Sequence, residues 1–277
     1  MSRNYFIYGV KRTGNHAIIN WLMPQVGKAV RFFNDHWYML LDLSKRDDEH
    51  HLVEHILQLH RTKIFVDGER RRFSESYLKE YNDINNIISF ESVKLSQMLE
   101  LETQWLQDLN KGIKRFNPEL IIGNDNTYIV ILRNPWNVAA SQYRWMWDRK
   151  DFNRVDIDMV VWSEFYGHYI EQTPDIHFII YDKWFQDIDY RKKISSDLGL
   201  EFNDLNINKV ANAGGGSSFD KMSFDEDAQK MDVLTRYIQM KEDKNMKVFM
   251  ETDMASELKN KWNHLCDLED ITNLKIK

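Results

Sequence analysis

Six short runs of mostly apolar, β-favouring residues recur along the first two thirds of the chain. They lie at residues 5–10, 29–33, 63–66, 86–90, 128–132 and 177–181. Several of these runs are almost continuously hydrophobic, as are strands that are buried on both faces of a parallel sheet. The pattern therefore predicts a parallel sheet that is covered by helices.

Segments with a helical pattern lie between these runs, at residues 15–23, 46–60, 95–116, 137–149, 156–172 and 184–198. Strands that alternate with helices predict an α/β fold of three layers, with helices on both faces of the sheet. From residue 223 to about residue 267 the chain becomes helical in pattern and highly charged, which predicts a helical C-terminal cap over residues 223–277. Because no repeat or Pro-rich linker interrupts the chain, we predict a single domain over residues 1–277.

Composition and charge narrow the class of protein. The 277 residues are 43% hydrophobic, which is enough for a substantial core, and the net charge is −6. Nucleic-acid binding needs a broad basic field, so no nucleic-acid partner is expected. The single cysteine, Cys266, excludes an internal disulfide and fits a reducing compartment. No apolar stretch is long enough for a signal peptide or a membrane span, so we expect a soluble, cytoplasmic protein without a membrane partner.

A glycine-containing turn follows the first predicted strand. In the segment YFIYGVKRTGNH, Gly9 and Gly14 are five positions apart, the G-x-x-x-x-G spacing of loops that bind phosphate through backbone N–H groups. The dipole of the helix that follows also favours an anion at this place. A strand-to-helix turn with chance glycines is the alternative when this segment is taken alone.

The residues around these glycines do not match an ATP-binding loop. Such a loop continues with Lys and then Ser or Thr, whereas here Asn15 and His16 follow the second glycine. The cations come earlier, at Lys11 and Arg12, and no hydroxyl stands at the magnesium position. A transferred sulfuryl group carries less charge than a phosphoryl group. A cationic side chain and backbone donors could therefore suffice without a metal.

Two later segments suggest further anion contacts. In YIVILRNPWNVAASQYR a buried strand ends at Arg133, and Ser141 follows eight positions later on the next helix. An arginine fork and a serine hydroxyl can bind one phosphate from that arrangement, although a structural ion pair is the alternative. The segment NAGGGSSFD at residues 212–220 offers many backbone donors, and its alternative is a surface linker.

Together these segments resemble the sulfotransferases that use 3′-phosphoadenosine 5′-phosphosulfate (PAPS). Residues 12–16 match the family loop [K/R]-[S/T]-G-[T/N]-x, and residues 133–141 match the pattern R-[D/N]-P-x-[D/N]-x-x-x-S. Tyr181 and Asp182 resemble the family's Tyr–acid pair. The resemblance covers residues 5 to about 220 and implies a P-loop NTPase-like sulfotransferase fold. Arg12, where the cytosolic branch usually has lysine, is similar to bacterial and viral-type members.

The resemblance implies a role for each matching residue. Residues 12–16 would surround the 5′-phosphosulfate, and Arg12 would stabilise the charge on the leaving oxygen. Arg133 and Ser141 would hold the 3′-phosphate, and the glycine-rich loop would close over the nucleotide. The implied PAPS-binding residues are Lys11, Arg12, Thr13, Gly14, Asn15, His16, Arg133, Ser141, Gly215, Gly216 and Ser217. No metal is implied.

Sulfuryl transfer also needs an acceptor hydroxyl or amine and a group that takes its proton. The family places a His or Glu just past the strand that precedes the Arg-Asn-Pro strand, which nominates Glu91 as the catalytic base. His36, in FFNDHW after the second strand, is the other candidate. The ordinary alternatives are a solvated glutamate and a packed histidine. The acceptor, a small molecule or a glycan, stays open.

Two other functions also stay open. A P-loop kinase would need a lysine and a hydroxyl residue after Gly14, and only its acidic metal ligand has candidates, Asp67 and Asp182. A catalytically silent nucleotide-binding protein could have kept the donor pocket without the activity.

Overall fold

A computed structural model of the chain describes residues 3–34, 62–66, 69–71, 84–97, 125–146, 154–210, 219–220 and 227–276. Within these residues one sheet has seven strands. They are β1 (Arg3–Gly9), β2 (Ala29–Asn34), β3 (Thr62–Val66), β4 (Glu69–Arg71), β5 (Asn85–Glu91), β6 (Asp125–Leu132) and β7 (Ile176–Ile180). Six of them agree with the predicted apolar runs to within a few residues.

The α-helices of the described residues are α1 (Asn15–Val26), α2 (Pro135–Met146), α3 (Arg154–Ile170), α4 (Tyr181–Gln186), α5 (Ile188–Asp197), α6 (Arg236–Gln239), α7 (Lys244–Met250) and α8 (Asp253–Leu268). Short 3₁₀ helices lie at Ala228–Lys230 and Thr272–Leu274. The predicted helix over 184–198 is two helices, because Asp187 caps α5 by accepting hydrogen bonds from the backbone N–H groups of Asp189 and Tyr190. The predicted helix at 46–60, and nearly all of that at 95–116, lies outside the described residues.

The predicted α/β fold is confirmed, with one difference at an edge of the sheet. The strand order is β4-β3-β2-β5-β1-β6-β7, and the five strands from β2 to β7 are parallel. By contrast, β3 pairs antiparallel with β2, and β4 pairs antiparallel with β3. The sheet is therefore mixed rather than wholly parallel. The strand β4 consists of Glu and Arg residues and lacks the apolar run by which the other strands were predicted.

The path of the chain places the turn after β1 at a crevice. From β1 the chain passes through α1 to β2 and returns to β5, which lies between β2 and β1. It then crosses to β6, which pairs with the opposite side of β1. Where successive connections leave a central strand in opposite directions, the carboxyl ends of the strands open a crevice that commonly binds ligands. The glycine-containing turn thus lies where an α/β sheet is open to a ligand.

Alternate residues of the strands build two cores, one on each face of the sheet. On one face Tyr8 and Phe90 pack with Trp162 of α3 and Trp262 of α8. On the other face the strand residues pack against α1 and α5. The helices α6, α7 and α8 contact α2, which confirms that the C-terminal segment is helical. That the whole chain forms a single domain stays a prediction.

No helix among the described residues has the length and apolar character that crossing a bilayer requires.

A row of polar side chains crosses the first face near the amino ends of the strands. The register aligns Arg31, Asn86, Asn4 and Asn126 on four neighbouring strands. Asn86 Nδ2 donates to Asn4 Oδ1 at 2.8 Å, and Asn4 Nδ2 donates to Asn126 Oδ1 at 2.9 Å. Arg31 is 1% exposed, and its guanidinium has no hydrogen-bond partner among the described residues. Burial lowers the pKa of Arg31 to about 10, so the side chain stays charged at neutral pH.

We expect the substitution Arg31→Met to raise the free energy of unfolding by about 1 kcal/mol or more, because it removes a buried charge and keeps the apolar volume. Arg191→Met is the matched comparison, since Arg191 makes a two-point ion pair with Asp204 at 2.9 and 2.8 Å. That variant should lose about 2 kcal/mol. Urea denaturation of both variants measures the contrast. Equal losses would show that the Arg31 charge is compensated.

Candidate functional site

Backbone hydrogen bonds hold the turn after β1 in a fixed shape. The Thr13 N–H donates to the Val10 carbonyl at 3.2 Å, and the Ala17 N–H donates to the Gly14 carbonyl at 2.9 Å, where α1 begins. Arg12 and Gly14 both have left-handed backbone, with φ of 72° and 95°. Successive N–H groups in such a turn face the same side, as in anion-binding loops.

The two glycines are required by close packing as well as by backbone geometry. A Cβ on Gly9 would lie 2.1 Å from Asn15 Oδ1 and 2.6 Å from Thr13 Oγ1. A Cβ on Gly14 would lie 2.2 Å from the ring of Tyr181, which follows β7. The turn therefore fits tightly between its own polar side chains and the Tyr181 ring. Larger residues cannot replace these glycines unless their neighbours move.

Thr13 and Asn15 direct their side chains into the protein. The Thr13 hydroxyl lies 2.8 Å from the Val10 carbonyl oxygen and 2.6 Å from Asn15 Oδ1. Asn15 Nδ2 donates to Glu91 Oε1 at 3.3 Å, and both Thr13 and Asn15 are buried. These side chains support the turn and connect it to Glu91. Their contact with a donor nucleotide stays a prediction.

Glu91 lies beside the turn because β5 pairs with β1 up to its last residue, where Glu91 is level with Gly9. The next residue, Ser92, donates its N–H to the Gly9 carbonyl at 3.0 Å and accepts from the Lys11 N–H through its hydroxyl at 3.1 Å. The Lys11 carbonyl accepts from Gln142 Nε2 of α2 at 2.9 Å. The end of β5 and the turn thus form one hydrogen-bonded unit.

His16 joins the site to the end of β2. Its Nε2 lies 2.8 Å from Asn34 Oδ1, which also accepts a hydrogen bond from the Ser89 hydroxyl at 3.2 Å. The other candidate base, His36, lies outside the described residues, as do Gly215, Gly216 and Ser217. The structure therefore shows where Glu91 and His16 lie, next to the turn, and the functional roles of all the predicted site residues stay predictions.

The Arg-Asn-Pro motif has a structural role at the start of α2. Asn134 Oδ1 accepts hydrogen bonds from the N–H groups of Trp136 and Asn137 at 3.0 and 3.2 Å, so it caps the start of α2. Pro135 is the first residue of that helix, where its missing N–H costs nothing. This cap sets the direction of α2 and with it the position of Ser141, two turns further on.

Arg133 contacts the turn directly. Its Nη1 donates to the Arg12 carbonyl at 2.8 Å, and its Nη2 donates to the carbonyl of Val233. The guanidinium lies 4.7 Å from the centre of the Tyr181 ring, the same ring that packs on Gly14. Burial, and then the charge of Arg236, lower the pKa of Arg133 to about 10. Arg133 therefore connects the two segments that were predicted to bind an anion, namely the turn after β1 and the end of β6.

Arg236 on α6 completes the site and was missed by the sequence analysis. Its Nη1 donates to the Ser141 hydroxyl at 3.0 Å, and that hydroxyl donates to the Asn137 carbonyl at 2.8 Å. Its Nη2 forms an ion pair with Asp220 at 2.5 Å. No motif surrounds Arg236 in the sequence, where it lies in a charged helical stretch. Only its contact with Ser141 identifies it.

Three guanidinium groups thus gather at the carboxyl ends of β1 and β6, although the chain as a whole is acidic. Burial, followed by the charge of Arg236 and then that of Arg133, lowers the pKa of Arg12 to about 10. Arg133 and Arg236 are buried, while Arg12 is partly exposed. Cations held this close together repel one another, and an anion with several charges relieves that repulsion.

Asp182 lies beneath the site and supports it. Its carboxylate accepts a hydrogen bond from the Asn134 N–H at 2.8 Å and is 1% exposed. Burial raises the pKa of Asp182 to about 6, although the charge of Arg133 and the Asn134 N–H act in the opposite direction. The predicted Tyr–acid pair thus positions the arginine and the start of α2.

Among solved structures, the chain is similar to mouse sulfotransferase SULT7A1 complexed with PAP, with 13% identity, a TM-score of 0.46, and coverage of 98% of this chain and 88% of that chain. It is also similar to a sulfotransferase from Alicyclobacillus acidocaldarius, with 11% identity, a TM-score of 0.34, and coverage of 92% and 98%. No protein-family model and no curated protein sequence matches the chain. Identities and TM-scores this low do not transfer either protein's activity to this chain.

The raised pKa of Asp182 predicts how the stability of the folded protein depends on pH. Between pH 4 and pH 6 the folded state keeps the proton that the unfolded state loses, so stability falls as pH rises through that window. Asp182→Asn keeps the acceptor for the Asn134 N–H and removes the titration. We expect the stability of this variant relative to wild type to rise by about 3 kcal/mol from pH 4 to pH 7. Urea denaturation at several pH values measures it, and a constant difference would contradict the prediction.

Proposed function

We propose that the chain is a sulfotransferase that moves the sulfuryl group of PAPS to a hydroxyl or amine acceptor without a metal. The observation that supports this most strongly is the joining of the two predicted anion contacts by the hydrogen bond from Arg133 to the Arg12 carbonyl. Because Arg12, Arg133 and Arg236 lie close enough to interact electrostatically, we expect a single ligand with phosphate groups at both ends of a nucleoside to contact all three.

The residues present fit such a ligand. Arg133 Nε is buried without a hydrogen-bond partner among the described residues, and a phosphate oxygen is a natural acceptor for it. Arg12 and the N–H groups of the turn would bind the 5′-phosphosulfate. Arg133, Ser141 and Arg236 would bind the 3′-phosphate, which distinguishes PAPS from ATP.

The same residues argue against a kinase. The Thr13 hydroxyl lies within hydrogen-bond distance of the Val10 carbonyl and of Asn15, and His16 stands where a magnesium-binding hydroxyl would be. Asp182 is buried under the start of α2, where its carboxylate accepts from the Asn134 N–H. The other acidic candidate, Asp67, lies outside the described residues. Among the described residues of the site, none takes the place of the lysine, the hydroxyl or the acidic ligand that a P-loop kinase uses for magnesium and the γ-phosphate.

The proposed chemistry gives each residue a task. When bound, PAPS supplies the sulfuryl group. Glu91 accepts the proton of the acceptor hydroxyl or amine while the acceptor oxygen or nitrogen forms a bond to sulfur. Arg12 stabilises the negative charge that develops on the bridging phosphate oxygen as the bond between that oxygen and sulfur breaks. An arginine stays protonated, so its contribution is electrostatic. Asn15 Nδ2 holds the Glu91 carboxylate near the turn.

Ligand binding tests the proposed donor site. We expect adenosine 3′,5′-bisphosphate (PAP), the product left by PAPS, to bind far more tightly than ATP in calorimetry. Arg12→Met should weaken PAP binding by about 100-fold, the usual size of a lost charge-assisted contact. Arg3→Met is the control, because Arg3 pairs with Asp125 at the amino end of β1, away from the crevice. Tight binding of ATP without binding of PAP would favour the kinase.

Turnover tests the proposed base. Incubation with labelled PAPS and a broad panel of hydroxyl and amine acceptors, small molecules and glycans included, should identify an acceptor. We expect Glu91→Gln to lower kcat by about 100-fold or more without weakening PAP binding, because the loss of a carboxylate close to Arg12 does not disfavour an anion. Full activity in Glu91→Gln with loss in His36→Gln would assign the base to His36. Tight PAP binding by wild type without transfer to any acceptor would favour a catalytically silent protein.

A further inference from the structure

An acidic side chain of the chain itself occupies the arginine cluster. Asp220 pairs with Arg236 Nη2 at 2.5 Å, and the two side chains are only 12% and 7% exposed. The ring of the preceding residue, Phe219, lies 4.8 Å from the Arg236 guanidinium carbon. The segment Phe219–Asp220 therefore contacts Arg236 with a ring and with a carboxylate, while Ser141 contacts it from α2.

The influence of Asp220 extends beyond its ion pair. Its charge raises the pKa values of Arg12 and Arg133, in opposition to their burial and mutual repulsion. A carboxylate and a phosphate offer a guanidinium the same kind of partner, namely anionic oxygens that accept two N–H groups. Asp220 thus provides part of the neutralisation that a bound phosphate would provide.

We infer that Asp220 is a built-in counterion, which neutralises Arg236 in the ligand-free chain and is displaced by a phosphate group of the ligand. This inference rests on the proposed function, and it adds a competitor to the donor site. Because Asp220 and the ligand compete for Arg236, the apparent affinity for the ligand is lower than the arginine cluster alone would give. Return of Asp220 to Arg236 also speeds the release of PAP, a step that limits the turnover of many enzymes.

The competition affects only ligands that carry a phosphate at the Arg236 end of the site. Adenosine 5′-phosphate has no such group and leaves the pair of Asp220 and Arg236 intact. PAP has one and must break the pair. Removal of the Asp220 charge should therefore tighten the binding of PAP much more than that of adenosine 5′-phosphate, because Asp220 acts on Arg12 only weakly.

The substitution Asp220→Asn tests this inference, because the amide oxygen keeps an acceptor for Arg236 and only the charge is lost. We expect the Kd of PAP to fall by about tenfold, mainly through slower dissociation, and that of adenosine 5′-phosphate to change less than about twofold. Asp220→Glu should stay close to wild type. Calorimetry and stopped-flow dissociation measure these values, and thermal melting verifies that each variant is folded.

The matched control is Asp204→Asn, which removes the charge from the ion pair of Asp204 with Arg191 at 2.8 Å, outside the crevice. That variant should bind PAP as wild type does. Weaker or unchanged PAP binding in Asp220→Asn would overturn the inference and make Asp220 a structural partner of Arg236.

A second probe separates the inference from the proposed function. Inorganic pyrophosphate presents the same anionic oxygens without a nucleoside, and its binding should be tighter in Asp220→Asn than in wild type. If wild type fails to bind PAP but this difference is found, the proposed function is wrong and the built-in counterion stands. If neither protein binds pyrophosphate or PAP, the inference fails as well.

Discussion

The hydrogen bond from Arg133 Nη1 to the Arg12 carbonyl is the contact on which the candidate site depends. It joins residues that are 121 positions apart and connects the turn after β1 with the end of β6. The Tyr181 ring supports it from β7, because the ring packs against Gly14 and lies under the Arg133 guanidinium. Three neighbouring parts of the crevice thus hold one another in place. A change in any of them moves the anion contacts of the others.

Electrostatics at the site balance cations against a few placed carboxylates. The chain has a net charge of −6, yet Arg236 lies close enough to Arg12 and Arg133 for its charge to lower the pKa values of both. The carboxylates near them have different roles: Asp182 is buried under the start of α2, whereas Asp220 is bonded to the guanidinium of Arg236. The positive charge of the candidate site therefore comes from local packing, and the overall charge of the protein contributes little to it.

Several residues of the recognised motifs have a structural task that does not require a ligand. Asn134 caps α2, Thr13 closes the turn, and Gly14 makes room for the Tyr181 ring. Asn15 connects the turn to Glu91. These tasks explain why such residue types occur at these spacings even in a protein without the activity. The proposed activity adds a second task, which it assigns above all to the charges of Arg12 and Glu91.

The sequence alone predicted the strands of the parallel sheet and the turn at Gly9 and Gly14. That Arg133 and Ser141 bind one phosphate stays a prediction, because in the structure the Ser141 hydroxyl contacts Arg236. Buried parallel strands need continuous apolar runs, and tight turns need particular residues, so these features are visible locally. The strand β4 was missed because backbone pairing alone makes it a strand, and the break at Asp187 was missed because a cap interrupts a continuous helical pattern. Arg236 and Asp220 became functional candidates only in the tertiary structure. Their meaning comes from contacts with Ser141 and with each other, across distances along the chain that no local pattern records.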